Sequence, residues 1–147
     1  SNKFKFAKHD ILFGKLRPYF HKVGIAPVSG ICSTDIVVIT PDSSDVSAFV
    51  LSTVSSDTFV AYTNSASTGT RMPRTNWKDM SNWTLTSPTL EVLRVFQQVV
   101  GPMNELIISN IHESRTLSEL RDTLLPRLIS GKLRVTDAEK LLAEASV

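Results

Sequence analysis

The feature that most constrains this chain is a long run of helical periodicity over residues 87–128. Apolar residues recur there in steps of three and four, which places one side chain per turn on a single helical face. Between Pro102 and Leu125 there is no glycine and no further proline. An uninterrupted helix over that segment would extend about 36 Å. A helix of this length needs a partner, which is either another helix of the same chain or a second chain.

The start of this helix is predicted at Ser87 and Pro88. A serine hydroxyl can accept a hydrogen bond from the first amides, and a proline at the first helical position loses no hydrogen bond. Gly101-Pro102 interrupts the pattern, because an interior proline removes a hydrogen bond and clashes with the preceding turn. We expect either a kink near Gly101-Pro102 or a short helix followed by a long one that begins at Pro102.

The apolar stripe begins with Leu93, Phe96 and Val100 and continues through the rest of the helix. Asn110 and Ser114 interrupt its heptad pattern, and a polar residue in a helical seam lowers stability but can fix the register of pairing. The other interpretation is that the helix only covers one face of a sheet. The predicted helix interface comprises Met103, Leu106, Ile107, Asn110, Ile111, Leu117, Leu120 and Leu124.

Composition places the 147-residue chain among globular proteins, because 41% of its residues are hydrophobic and 20% are charged. The length suffices for one domain with an ordinary core plus an appendage. No apolar run reaches membrane-spanning length, and no signal peptide is visible. The single cysteine, Cys32, cannot form an internal disulfide. We therefore expect a cytoplasmic protein with no membrane segment.

The sequence before the long helix predicts a head with a small mixed β-sheet. Strands are expected over 10–16, 22–26 and 31–40, and the last of these is the clearest because it is rich in Ile, Val and Thr. Residues 83–87 alternate between apolar and polar, as in a half-buried strand.

Two short helices are predicted beside this sheet. Ser44 can cap the first, and Phe59 and Tyr62 fit the second. Thr136-Asp-Ala-Glu139 forms a capping box that would start a short C-terminal helix. The predicted class is α+β, a small head followed by a long helical arm. Its parts are a head over 1–86, a helix over 87–128 and a tail over 129–147.

Basic residues form two clusters in the head, although the formal net charge of +2 is too small to identify a partner. Six Lys or Arg residues precede Val23, and the next one is Arg71. The charged residues between these two clusters are all acidic. This distribution indicates two basic loops that meet on one surface.

The first loop carries Arg17, Tyr19, His21 and Lys22. Arginine and lysine suit phosphates or a guanine edge, and Tyr19 can pack on a sugar or base. The alternative is a solvated loop with Tyr19 in the core.

The second loop lies in the long polar stretch over 64–76. Gly69 lets the backbone approach a ligand closely, while hydroxyl, guanidinium and amide groups suit phosphates and adenine. The alternative is a structural loop in which Pro73 and Trp77 plug the sheet. The candidate DNA-binding residues here are Thr68, Thr70, Arg71, Arg74 and Asn76.

No catalytic or metal site is predicted. Cys32 combined with His9, His21 or His112 has no spacing typical of a nucleophile or a metal site, so an inert core cysteine is expected. The role of Asp35, in the middle of the same predicted strand, is left open by the sequence.

Three segments in this order resemble the specificity subunits of type I restriction-modification systems. Residues 10–19, Asp-Ile-Leu-Phe-Gly-Lys-Leu-Arg-Pro-Tyr, followed by Lys22-Val and Ser33-Thr-Asp35, resemble the second part of a target recognition domain. Residues 67–79 resemble the segment that closes such a domain. Residues 117–133 resemble the C-terminal end of a spacer helix.

The resemblance implies a non-catalytic subunit that recognises double-stranded DNA. In the family, two recognition domains each read half of a split sequence, and two antiparallel helices set their separation. Modification subunits methylate adenine and restriction subunits translocate and cleave. S-adenosylmethionine, Mg and ATP would belong to those partners, so this chain is expected to need no cofactor.

The chain departs from the family pattern in holding one partial recognition domain and one spacer helix. We expect a C-terminal fragment or a truncated subunit that forms an antiparallel homodimer through the long helix. The helix start typical of the family is reduced here to Pro88 and Glu91.

Two other functions are compatible with the residues. A purely structural helical dimerisation module would dimerise without binding DNA. A hydrolase that uses Cys32 would lose its activity in a Cys32→Ala variant. A specificity subunit would show salt-dependent DNA binding and association with a methyltransferase.

Overall fold

A computed structural model describes residues 2–69, 71–137 and 139–140. Within these residues there are two small antiparallel sheets, three short helices and one long C-terminal helix. The predicted α+β class is therefore confirmed. The chain divides into two compact units, Ser1–Leu106 and Ile107–Val147.

A two-stranded sheet joins β1 (Lys3–Phe6) to β4 (Gly30–Ser33) in an antiparallel pair. The strand β1 was not among the predicted strands. Gly30 lies opposite Phe6, and a Cβ on Gly30 would come within 2.9 Å of the Phe6 ring. The absence of a side chain at Gly30 thus makes room for that ring.

A three-stranded sheet has β2 (Ile11–Gly14) at its centre, with one strand on each side. β2 pairs antiparallel with both β3 (Val23–Ile25) and β5 (Ile36–Ile39). The predicted sheet is therefore not mixed. The connection between β2 and β3 has eight residues, whereas a parallel pair needs a crossover of about a dozen residues or more. The strand predicted over 31–40 is two strands, because residues 34 and 35 form a turn between β4 and β5.

Hydroxyl and amide side chains start the three short helices. The caps are Ser43 and Ser56 for the first two helices and Asn76 for the third, and Ser43 precedes the predicted cap Ser44 by one residue. The predicted strand over 83–87 is irregular chain, because its backbone pairs with no described strand. The helices are α1 (Ser44–Val54), α2 (Asp57–Ser65) and α3 (Trp77–Ser81).

The core lies between the three-stranded sheet and these helices. Aromatic rings connect its layers edge to face, with 5.9 Å between the ring centroids of Phe13 and Phe59 and 5.8 Å between those of Phe59 and Trp83. Such contacts add to the burial of apolar surface. The buried cluster comprises Ile11, Phe13, Val37, Val54, Phe59, Val60 and Met80.

The long helix α4 (Leu90–Ile129) has 40 residues and continues through Gly101-Pro102. The alternative of two successive helices is therefore wrong, and a kink at this point stays a prediction. A proline deprives only one carbonyl of its helical donor. The helix begins three residues after Ser87, whose hydroxyl donates to the carbonyl of Pro88.

The first turns of α4 pack on the head with a face that the sequence did not predict in full. Leu93 is buried and Phe96 is half-buried, and the Phe96 ring lies 6.4 Å from that of Phe49 in α1, edge to face. The predicted stripe then passes to Met103, but Met103 is 57% exposed. The inward line passes instead through Asn104, which is half-buried.

A polar contact accounts for this change of face. The side-chain oxygen of Gln97 accepts a hydrogen bond from the amide of Ala48, a fully buried residue of α1, at 2.8 Å. A Cβ on Gly101 would lie 2.7 Å from the side-chain nitrogen, Nε2, of Gln97. Gly101 therefore leaves space for Gln97 on the inward face. Arg94 adds an ion pair with Asp45 at 2.9 Å.

The predicted tail over 129–147 is only partly described. Residues 135–137 and 139–140 are helical, whereas 138 and 141–147 lie outside the described residues. The amide of Asp137 donates to the carbonyl of Arg134 at 3.1 Å. The helical turn thus starts before Thr136, which is not its cap.

Candidate nucleic-acid interface

The two basic loops lie side by side, as the charge distribution predicts. The amide of Arg17 donates to the carbonyl of Pro73 at 2.8 Å, and the amide of Thr75 donates to the carbonyl of Lys15 at 3.2 Å. These bonds flank an antiparallel bridge between Leu16 and Arg74. The second loop is therefore held against the exit of β2.

The first loop makes a tight 3-10 turn over Pro18–Phe20 with left-handed residues at both ends. Arg17 has a φ of 51° and His21 a φ of 53°. The rings of Tyr19 and Phe20 lie outside, with 51% and 57% of these residues exposed. The alternative that placed Tyr19 in the core is therefore wrong.

Two cations lie over the outward ring of Phe20. The guanidinium carbon of Arg17 is 6.0 Å from the ring centroid, and the ammonium nitrogen of Lys22 is 5.7 Å from it. Both distances suit cation–π attraction. The loop thus holds a half-buried and an exposed positive charge beside an exposed aromatic ring, which fits a phosphate next to a sugar.

His21 is exposed, but both of its ring nitrogens face groups of the neighbouring helices. One ring nitrogen, Nε2, lies 2.5 Å from the carbonyl oxygen of Ser55 and donates to it. The other, Nδ1, lies 3.6 Å from a carboxylate oxygen of Asp57. His21 therefore attaches the first loop to the connection between α1 and α2.

The second loop is closed at its base by Thr68 and Arg74, which exchange two backbone hydrogen bonds of 3.1 and 3.0 Å. Gly69 has a φ of 100°, a backbone conformation that residues other than glycine adopt only at an energetic cost. Arg71 is exposed near the tip of this loop. Thr70 lies outside the described residues.

Asp35 faces the guanidinium of Arg74 from the turn between β4 and β5. The two carboxylate oxygens lie 3.4 and 3.5 Å from one guanidinium nitrogen. The backbone of Asp35 is held as well, because its carbonyl accepts from the amide of Lys15 at 2.8 Å and its amide donates to the hydroxyl of Ser33 at 3.2 Å.

Asn76 is occupied in the cap of α3. Its side-chain oxygen accepts from the amide of Asp79 at 3.0 Å, and its side-chain nitrogen donates to the Asp79 carboxylate at 2.6 Å. In this arrangement both ends of the amide serve the helix. Base reading by Asn76 stays a prediction and would require the cap to open.

Trp77 marks a surface that was not predicted from the sequence. It is 56% exposed, so it does not plug the sheet. With Phe4, Lys5 and Lys15 it lines an open cleft of about 340 Å³ that also borders β5. Aromatic walls with two ammonium groups suit a nucleotide. The alternating Lys-Phe-Lys-Phe of β1 was the available signal.

The predicted helix interface is largely exposed in both units. In the first unit, Met103 and Leu106 are 57% and 61% exposed. In the second, Ile107, Ile111, Leu117 and Leu120 are exposed, as is Asn110, and Leu124 is half-buried. Glu113, which was not among the predicted interface residues, falls on the same helical side as Asn110 and Leu117.

Other kinds of site find little support within the described residues. No group of three or more His, Cys, Asp or Glu there is placed to hold a metal ion. No helix formed by those residues has the length and apolarity to cross a membrane. Cys32 lies half-buried in β4 and outside the core cluster, in contrast to the prediction.

Comparison with known proteins identifies relatives of one kind. The chain is 27% identical over 137 residues to the type I restriction enzyme EcoDI specificity subunit of Escherichia coli, covering 90% of this chain and 30% of that protein. It is 36% identical over 69 residues to the MjaIX specificity subunit of Methanocaldococcus jannaschii, covering 47% and 16%. It is 37% identical over 68 residues to the HindI specificity subunit of Haemophilus influenzae, covering 46% and 15%.

These matches confirm the predicted resemblance to type I restriction enzyme specificity subunits. The chain spans less than a third of the length of each of these relatives. No family model matches the chain.

Proposed function

We propose that this chain contributes to recognition of double-stranded DNA in a type I restriction-modification system. Similarity to three specificity subunits supports the assignment of the chain to such a system. The observation that carries the DNA-binding role is the hydrogen bond between Arg17 and Pro73, which holds the two basic loops together. Adjacent basic loops supported by a rigid sheet are typical of nucleic-acid contact.

The proposed contacts divide into two kinds. Arg17, Lys22 and Arg71 would contact phosphates, and the exposed ring of Tyr19 would pack on a sugar. The hydroxyls of Thr68 and Thr70 would add neutral phosphate contacts. His21 and Asn76, included among the predicted DNA-binding residues, would support the loops instead, because their polar atoms are already engaged.

The proposed role is non-catalytic. Modification subunits would carry out methyl transfer with S-adenosylmethionine, and restriction subunits would use ATP and Mg. The chain itself would bind none of these cofactors. Its contribution would be to hold partner subunits at a chosen DNA sequence.

The long helix is proposed to pair with an antiparallel copy of itself where no other spacer helix covers it. Its exposed leucines and isoleucines support this pairing, since soluble proteins rarely leave such a strip open. In a dimer with two-fold symmetry, the same surface of each copy forms the interface. A purely structural dimerisation module remains the second candidate, and the same exposed strip favours it.

The DNA-binding role can be tested with labelled random duplexes titrated by fluorescence anisotropy at about 50 to 200 mM salt. Arg71→Ala and Lys22→Ala are each expected to lower the slope of log K against log salt by about 0.9, because each removes one phosphate contact. Arg94→Ala is the matched control, since it removes a cation that belongs to α4 and is paired with Asp45.

Absence of salt-dependent binding by the wild-type chain would refute the DNA role and favour the dimerisation module. Equal slopes for the wild type, Arg71→Ala and Lys22→Ala would also refute the assignment of this surface.

A further inference from the structure

An acidic side chain is built into the basic surface. Asp35 approaches Arg74 to 3.4 Å, while Arg17 and Lys15 belong to the neighbouring segment that is hydrogen-bonded to the second loop. A carboxylate beside DNA phosphates is repelled by them. A surface that served only to attract the phosphate backbone would gain by losing this charge.

Stability does not account for the pair. Both side chains are substantially exposed, with 58% exposure for Arg74 and 41% for Asp35. Exposed ion pairs of this kind contribute little to folding, because water screens them and two side chains lose freedom.

The backbones of Arg74 and Asp35 are both held by the segment that follows β2. Arg74 bridges to Leu16 and to Thr68 on either side, and the carbonyl of Asp35 accepts from the amide of Lys15. The segment after β2 thus positions both groups. An arginine whose guanidinium is oriented in advance loses less freedom when it binds a planar acceptor.

We propose that Asp35 is a specificity-determining residue that positions Arg74 to read a base edge, an inference that rests on the proposed DNA-binding role. Arg74 would donate two hydrogen bonds to O6 and N7 of a guanine in the major groove. Asp35 would orient the guanidinium and repel phosphates, so that Arg74 is not captured by the DNA backbone. Arg71 carries the same charge nearer the loop tip and would contact phosphate without selecting a base.

The test starts with selection of preferred duplexes from a random pool by the wild-type chain. Affinities are then measured for the preferred duplex and for versions with each guanine replaced. Arg74→Gln should abolish preference at one guanine. Asp35→Asn should lower that preference about fivefold or more, in line with the value of one bidentate contact. It should also bind random duplexes more tightly, with a salt slope steeper by about 0.9.

Two comparisons separate a positioning role from a structural one. Asp42→Asn makes the same change in net charge at another exposed acid and should alter neither preference nor slope. In an Arg74→Gln background, Asp35→Asn should have no further effect on base preference, because the residue it positions is gone. A structural defect would instead weaken binding to every duplex equally.

Several results would overturn the proposal. Unchanged preference and slope in Asp35→Asn, with Arg71→Ala still lowering the slope, would remove the role of Asp35 and leave the DNA-binding function standing. Uniformly weaker binding in Asp35→Asn would assign it to structure. A wild-type chain that binds no duplex would remove both the inference and the function beneath it.

Discussion

Leu117→Ala tests whether the long helix pairs through its exposed strip. Leu117 is 58% exposed and belongs to the predicted interface in the second unit. If an antiparallel copy covers this strip, the side chain loses its remaining contact with water when the dimer forms. Truncation to alanine removes three carbon atoms from that contact without introducing a charge.

The magnitude follows from the exposed fraction. Three carbons at about 0.8 kcal/mol each would contribute about 2.4 kcal/mol on complete burial, and the exposed 58% gives about 1.4 kcal/mol per copy. A two-fold dimer contains the substitution twice, which gives about 3 kcal/mol. The dimer Kd should therefore rise roughly 100-fold.

Sedimentation velocity across a dilution series measures this change. Thr123→Ala is the control, because it truncates an exposed side chain about 120° away around the same helix. Circular dichroism shows whether both variants keep their helix content. A wild-type chain that stays monomeric at its highest soluble concentration, and is unaffected by Ile107→Asp, would refute the helix-mediated dimer. A dimer indifferent to Leu117→Ala would place the contact on another face.

Three further outcomes are expected. Gln97→Ala should lower the free energy of unfolding by about 0.5–1.5 kcal/mol in urea denaturation, because the hydrogen bond that joins α4 to the amide of Ala48 is lost, whereas exposed Gln98→Ala should change it little. A larger effect from Gln98→Ala would contradict that account. Glu113→Leu should tighten self-association by sedimentation, since it removes a charge from the apolar strip; weaker association would place this residue outside the contact. Duplex DNA should quench the fluorescence of exposed Trp77, and a Trp77→Phe variant that keeps the full emission change would show that Trp83 reports it instead.

The sequence predicted the long helix well because apolar residues spaced by three and four over forty residues fit a helix and do not fit a strand. It did not predict which face is buried. Leu93 and Met103 follow the same apolar pattern, but one is buried and the other exposed. The decisive contact is the bond from Ala48 to Gln97, a polar residue that a hydrophobic pattern places outside.

Strand propensity also gave an incomplete prediction for the head, because it does not show where a run of residues turns. The run over 31–40 reads as one strand by propensity, but Asp35 and its neighbour form a turn that lets the two halves join different sheets. The charge clusters did predict that the two loops lie together. The exposure of Trp77 was not predictable, because it depends on how α3 packs at the end of the chain's longest polar stretch.

The bond between Gln97 and Ala48 also fixes the rotation of the first turns of α4 about the helix axis. Met103, on the open side, is six residues further along. One residue inserted between Gln97 and Met103 would turn the open side by about 100° relative to the anchored side. Four inserted residues would turn it by only about 40° and shift it about 6 Å along the axis. Insertions and deletions in this segment should therefore be tolerated in steps of about one helical turn, so chains of this kind can vary in length while keeping the same exposed surface.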